Sequence, residues 1–137
     1  PGVKVVLRPI PILGGTSMYA AKAALAIQKI SPEKFSTIHD AMMQMKLINE
    51  DSVKTLVAEH DIDYAMVDNE INSFSIKQLI NKNFELSKGL GIQGAPSYII
   101  NGHFVPGLIP AEKFKTIILQ LRSAPSTDAV PANNAGQ

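Results

Sequence analysis

Cysteine is absent from all 137 residues of the sequence, which excludes disulfide staples and any thiolate nucleophile or thiolate metal ligand supplied by this chain. The absence does not identify a compartment. An excess of charge of one sign is also missing. Thirteen Lys and Arg stand against 12 Asp and Glu, for a formal net charge of +1, which leaves no electrostatic footprint for nucleic acid or for an anionic membrane surface. Long apolar runs are lacking as well: Lys, Asp, Glu, Asn or Gln interrupts each one well before the roughly 20 residues of a membrane-spanning helix. The three histidines, at 39, 60 and 103, form no pair at metal-ligand spacing. Asp61, Asp63, Asp68 and Glu70 lack the glycine and the closing glutamate of a calcium loop. Gly14-Gly15 and Gly89-Leu90-Gly91 fall short of a phosphate-cradling fingerprint. The site residues expected here therefore include no metal ligand, and no cofactor is implied.

What is present is enough for one core. With 45% hydrophobic and 18% charged residues, the chain is long enough to bury a single domain and too short for two ordinary ones. Because it opens on Pro1-Gly2 and runs directly into Val3-Lys4-Val5-Val6-Leu7-Arg8, it reads as a piece of something longer. That β-branched run predicts a strand over residues 3–8, stopped by Pro9-Ile10-Pro11. A helical region follows over residues 16–91, of about five elements by pattern. Thr16 or Ser17 is expected to cap an alanine-rich helix to Ile30, and Ser31-Pro32 to open a second bearing Phe35, Ile38, Met42 and Met45. Met42, Met43 and Met45 are expected in the core as gap-fillers. Asn49 and Asp63 are expected to cap short third and fourth helices. Ser73 starts a fifth, with Ile76, Leu79, Ile80, Asn83, Leu86 and Leu90 on one face and Gly91 as a left-handed stop. Asn83, polar on an apolar stripe, is expected to bond a backbone group in a loop. His39 is read as a hydrogen-bonded helix residue, His60 as a helix-end residue and His103 as a hairpin side chain.

After Gly91 the period changes. Ser97–Ile100 and His103–Val105 are β-prone runs joined by Asn101-Gly102, the dipeptide of a type I′ turn, so a hairpin is predicted over residues 97–105. Pro110 opens a final helix over residues 110–124 carrying Phe114, Ile117, Ile118 and Leu121. Residues 125–137 carry one large aliphatic side chain, Val130, and are expected to be a disordered tail.

The segments Pro9 to Gly14, Phe35 with His39-Asp40-Ala41, Leu90-Gly91-Ile92-Gln93-Gly94-Ala95-Pro96 and Val105-Pro106-Gly107 together resemble the bacterial DsbA-like thioredoxin family. The nearest pattern is its branch of twenty-seven-kilodalton outer-membrane proteins. The resemblance spans about Gly2 to Ala124 and implies an α/β thioredoxin-like fold with a helical insertion, α+β within this stretch, missing its central strand and first helix. It implies that residues 3–8 and the hairpin share one sheet with a vacancy between them. It further implies that Ala95 and Pro96 are the substrate-binding residues, joined by a cis peptide bond beside a reactive Cys-x-x-Cys that this chain lacks. A vacancy of that kind would leave donors and acceptors unpaired at about 1–3 kcal/mol each. Three resolutions are open: residues preceding this stretch, a strand from a second copy, or a rearranged core.

The function implied is the C-terminal part of an envelope thiol-disulfide oxidoreductase or isomerase, periplasmic or outer-membrane-associated. It would act on cysteine-containing proteins with a redox partner protein, with homodimerisation or strand exchange open, no nucleic acid and no membrane-spanning segment. One alternative is a non-catalytic thioredoxin-like module that binds peptides. Another is an unrelated α+β domain, in which the match around Pro96 is accidental.

Overall fold

The computed structural model describes residues 2–123, and the chain divides into two compact units, Pro1–Gln93 and Gly94–Gln137. In the first unit, five helices follow one another: α1 (Gly15–Ile30), α2 (Phe35–Gln44), α3 (Glu50–Glu59), α4 (Tyr64–Ile71) and α5 (Phe74–Gly89). α1 is the centre, packed against α2, α4 and α5. Its alanines make this possible, because small side chains let helix axes approach closely while costing little helix propensity. Ala23, Ala26 and Ile27 join one core cluster with Phe35, Ile38 and Met42 of α2, Val53, Leu56 and Val57 of α3, and Val67 and Ile71 of α4. Ala21 and Leu25, four residues apart on another side of α1, pack with Ile76 and Ile80 of α5.

Side-chain caps define the later helices. The Asn49 side chain accepts from the Ser52 amide while Ser52 Oγ accepts from the Asn49 amide, a reciprocal box that satisfies two orphan donors. Asp63 and Ser73 cap α4 and α5. α5 closes on Gly91 at φ 67°, with the Ile92 amide donating to the Ser87 carbonyl at 2.8 Å.

Five expectations are corrected. Residues 3–8 form no strand: Val3, Val5 and Val6 are each more than half exposed, and these residues join no ladder among the described residues. β-branched residues favour a pleated, half-buried surface, so without a neighbouring strand their propensity fixes no element. α1 starts at Gly15, with Gly14 at φ 86° making the turn, and neither Thr16 nor Ser17 caps it. Ser31 to Lys34 form a turn, closed by the Lys34 amide on the Ser31 carbonyl, and α2 begins at Phe35. Finally, Met43 is exposed, and the buried stripe of α5 is Ile76, Ile80, Asn83 and Ser87, with Leu86 and Leu90 outside it.

The second unit holds β1 (Ser97–Ile100), β2 (His103–Pro106) and α6 (Ala111–Ser123). β1 and β2 pair antiparallel with Ser97 opposite Pro106 and Ile100 opposite His103. Their turn is Asn101-Gly102, both at positive φ, 48° and 82°, as a type I′ turn requires. Pro110 precedes α6, and its carbonyl accepts from Lys113 and Phe114. Ala124 and the tail expected over residues 125–137 lie outside the described residues.

Candidate functional site

The segment that carries the sequence resemblance folds into an exposed loop, Gly94-Ala95-Pro96-Ser97, leading into β1. Ala95 and Pro96 are both solvent-exposed, and the peptide bond between them is cis. Two hydrogen bonds hold the loop. Ser97 Oγ donates to the Gly94 carbonyl at 2.7 Å, closing the four residues on themselves. The Gly107 amide, at φ 75°, donates to the Pro96 carbonyl at 3.0 Å, which continues the hairpin one step past the Ser97 and Pro106 pair. Glycine suits this position because a side chain there would be strained.

The hairpin is anchored to α6 through one aromatic contact. The Tyr98 and Phe114 rings meet edge to face, centroids 4.6 Å apart at 88°, a geometry worth about 0.5–1.5 kcal/mol beyond area burial. Alternation places Tyr98 and Val105 on one side of the ribbon, and Ile99 with its partner Phe104 on the other, where they are about half exposed.

The loop's chemistry follows from accounting for its backbone groups. The Gly94 and Pro96 carbonyls are taken, and proline has no N–H. Among the described residues, the Ala95 N–H and C=O have no hydrogen-bond partner. A donor and an acceptor on one exposed residue can pair with an extended segment of another chain, as strand addition does. They can bind and align; they cannot transfer electrons or cleave a bond.

The other candidates lie elsewhere and have structural surroundings. His39 sits on α2 with its ring 5.3 Å from that of Phe35. His60 is the C-terminal cap residue of α3, its carbonyl accepting from Lys34 Nζ at 2.6 Å, and His103 begins β2. Asn83 Nδ2 donates to the Pro9 carbonyl at 3.0 Å, which is the loop backbone bond expected of it. Among the described residues, no group of three or more His, Asp and Glu side chains could hold a metal ion. No described helix is long and apolar enough to cross a membrane.

Sequence reasoning missed three features. Ser97 is one, although a serine directly after the loop proline was a visible signal for a side-chain-closed turn. Glu70 is another: its carboxylate accepts from Lys29 Nζ of α1 at 2.6 Å and from Ser73 and Ser75 Oγ at 2.9 Å each. The Lys29 hydrogen bond, followed by those of Ser73 and Ser75, holds the carboxyl below its ordinary range despite partial burial. The third is a hydroxyl pair, Tyr19 with Tyr64 at 3.4 Å, in which burial and then the Tyr64 hydrogen bond push the Tyr19 phenol upward. Lys54 stands 5.9 Å above the Tyr64 ring. No local pattern announces contacts between residues 41 and 45 positions apart.

The DSBA-like thioredoxin domain family model matches residues 1–119. The thiol:disulfide interchange protein DsbA of Bordetella parapertussis is 24% identical over 107 residues, covering 74% of this chain and 50% of the relative. The chain thus spans about half the length of the curated relatives it matches. Among solved structures, a thioredoxin-like oxidoreductase from Silicibacter pomeroyi superposes with a TM-score of 0.76 at 28% identity, over 86% of this chain and 68% of that one. The thiol-disulfide exchange protein alpha-DsbA2 of Wolbachia pipientis gives a TM-score of 0.74 at 31% identity, over 83% and 63%. A family match that takes in both the α1–α5 helices and the hairpin, together with neighbours that share the fold, establishes that this cysteine-free chain belongs to the DSBA-like thioredoxin domain family.

Proposed function

We propose that this chain is the substrate-presenting portion of an envelope thiol-disulfide oxidoreductase or isomerase that acts on cysteine-containing proteins, in the periplasm or at the outer membrane. The observation that carries the reading is the exposed Ala95-Pro96 loop with its unpartnered backbone pair, in a chain of this family. Ala95 aligns the extended substrate by main-chain hydrogen bonds, and Pro96 contributes no competing donor. Sulfur chemistry falls to thiols outside this sequence. In each exchange a thiolate attacks one sulfur of a disulfide, one S–S bond forms as the other breaks, and the departing sulfur carries away the charge as thiolate. A redox partner protein then restores the starting state.

The absence of cysteine favours a second reading, a non-catalytic module that uses the same loop to hold peptides. The encoded polypeptide separates the two. A Cys-x-x-Cys in the residues encoded directly before Pro1, with catalysed cleavage of a fluorescence-quenched disulfide-linked peptide by that polypeptide, is expected for the enzyme. Any other sequence there, with no catalysis, overturns the enzymatic reading and leaves the binding module.

A further inference from the structure

We propose that Ser97 is a positioning residue for the Ala95-Pro96 site, its hydroxyl turning the Gly94–Ala95 peptide plane so that the Ala95 N–H is aimed outward at an extended partner chain. The inference rests on the loop being the substrate-presenting element.

The geometry is simple. The Gly94 carbonyl and the Ala95 N–H belong to one planar peptide unit and point in opposite directions across it. Whatever holds the carbonyl therefore aims the N–H. Ser97 Oγ holds it, at 2.7 Å. Without that contact, Gly94 leaves the plane free to turn, since glycine has the widest backbone freedom and, its two chain neighbours aside, no other described residue comes within 4 Å of where its Cβ would stand. The Pro96 side of the loop is fixed independently by the Gly107 amide on the Pro96 carbonyl at 3.0 Å. One end of the loop is thus set by the hairpin and the other by a single hydroxyl. This makes Ser97 separable: removing its oxygen leaves the β1–β2 ladder and the Tyr98–Phe114 contact in place, and changes where one donor points.

Ser97→Ala and Ser97→Thr test this, the threonine keeping the hydroxyl on Cβ. In the free, isotope-labelled chain, S97A is expected to shift the Gly94 carbonyl carbon resonance and the Ala95 amide, and S97T to leave both near the parent values. The probe for binding is an unstructured synthetic peptide carrying one S-methylated cysteine. S97A is expected to bind it about fivefold more weakly, the range for one lost hydrogen bond, at an unchanged unfolding midpoint. S97T is expected to restore affinity to within about twofold. Unchanged Gly94 and Ala95 resonances in S97A overturn the proposal without reference to any peptide. So does an S97T that binds as weakly as S97A. Failure of the parent to bind, with the S97A resonance change present, overturns the substrate reading of the loop and supports the orienting contact.

Discussion

Asn83 is 3% exposed on the inner stripe of α5, and its Nδ2 donates to the Pro9 carbonyl at 3.0 Å. A buried amide is tolerated because it is paired, and its partner anchors the start of the chain, where Pro11 is itself buried. Asn83→Ala is expected to cost about 1–3 kcal/mol in urea unfolding, since the Pro9 carbonyl loses its donor; a loss below the error of the extrapolation would contradict this account. That Asn83 needed a polar partner was legible from its place on an apolar stripe. Which partner it has was not, because Pro9 lies 74 positions away. Glu70 illustrates the same limit with charge. Its carboxyl is held below the ordinary value of 4.5, first by Lys29 and then by Ser73 and Ser75. A folded-state pKa below the unfolded one gives stability that is fully present above the unfolded value and is lost as pH falls through the folded one. The contribution should thus fade below about pH 4.5, and Glu70→Gln should remove that part of the pH dependence. The difference should not exceed about 1 kcal/mol, because Lys29 is half exposed and solvent screens the pair. Parallel profiles for the two proteins between pH 3 and pH 6, about that window, would refute it.

At the scale of elements, helix starts written in side chains were legible and those written in backbone geometry were not. Asn49, Asp63 and Ser73 cap where their types and spacing predict. α1 departs from the rule because Gly14, at φ 86°, turns the chain without a side-chain acceptor. Asn49→Ala is expected to destabilise the first unit by about 1 kcal/mol, through loss of the acceptor for the Ser52 amide; an unchanged unfolding midpoint would show that water replaces the cap without cost. The Asn101-Gly102 turn was legible for the same local reason, since both residues must take positive φ. Residues 3–8 were misjudged because a strand is a relation between two segments. Val3, Val5 and Val6 carry the right side chains and have no ladder among the described residues. The stripe of α5 was half legible: Ile76, Ile80 and Asn83 were placed, whereas Ser87, held by its own hydrogen bond to the Phe84 carbonyl at 2.8 Å, lies inside where Leu86 and Leu90 do not.

For the whole molecule, family membership was legible from Leu90 to Gly107, a stretch in which Gly91, Gly102 and Gly107 take the positive φ that suits glycine and Asn101-Gly102 makes the turn, a signal of backbone conformation rather than of burial. The α1 core was legible from its alanines and from the spacing of Phe35, Ile38 and Met42. The chain belongs to the family yet supplies no thiolate of its own for disulfide exchange, because it has no cysteine. The most direct measurement is amide chemical-shift mapping of the isotope-labelled chain titrated with the S-methylated cysteine peptide. The expected result is a saturating response centred on Ala95, with Gly94 and Ser97 next. A response centred on α2 to α4, or none up to about 1 mM peptide, would contradict the proposal that the Ala95-Pro96 loop is the place where substrate is held.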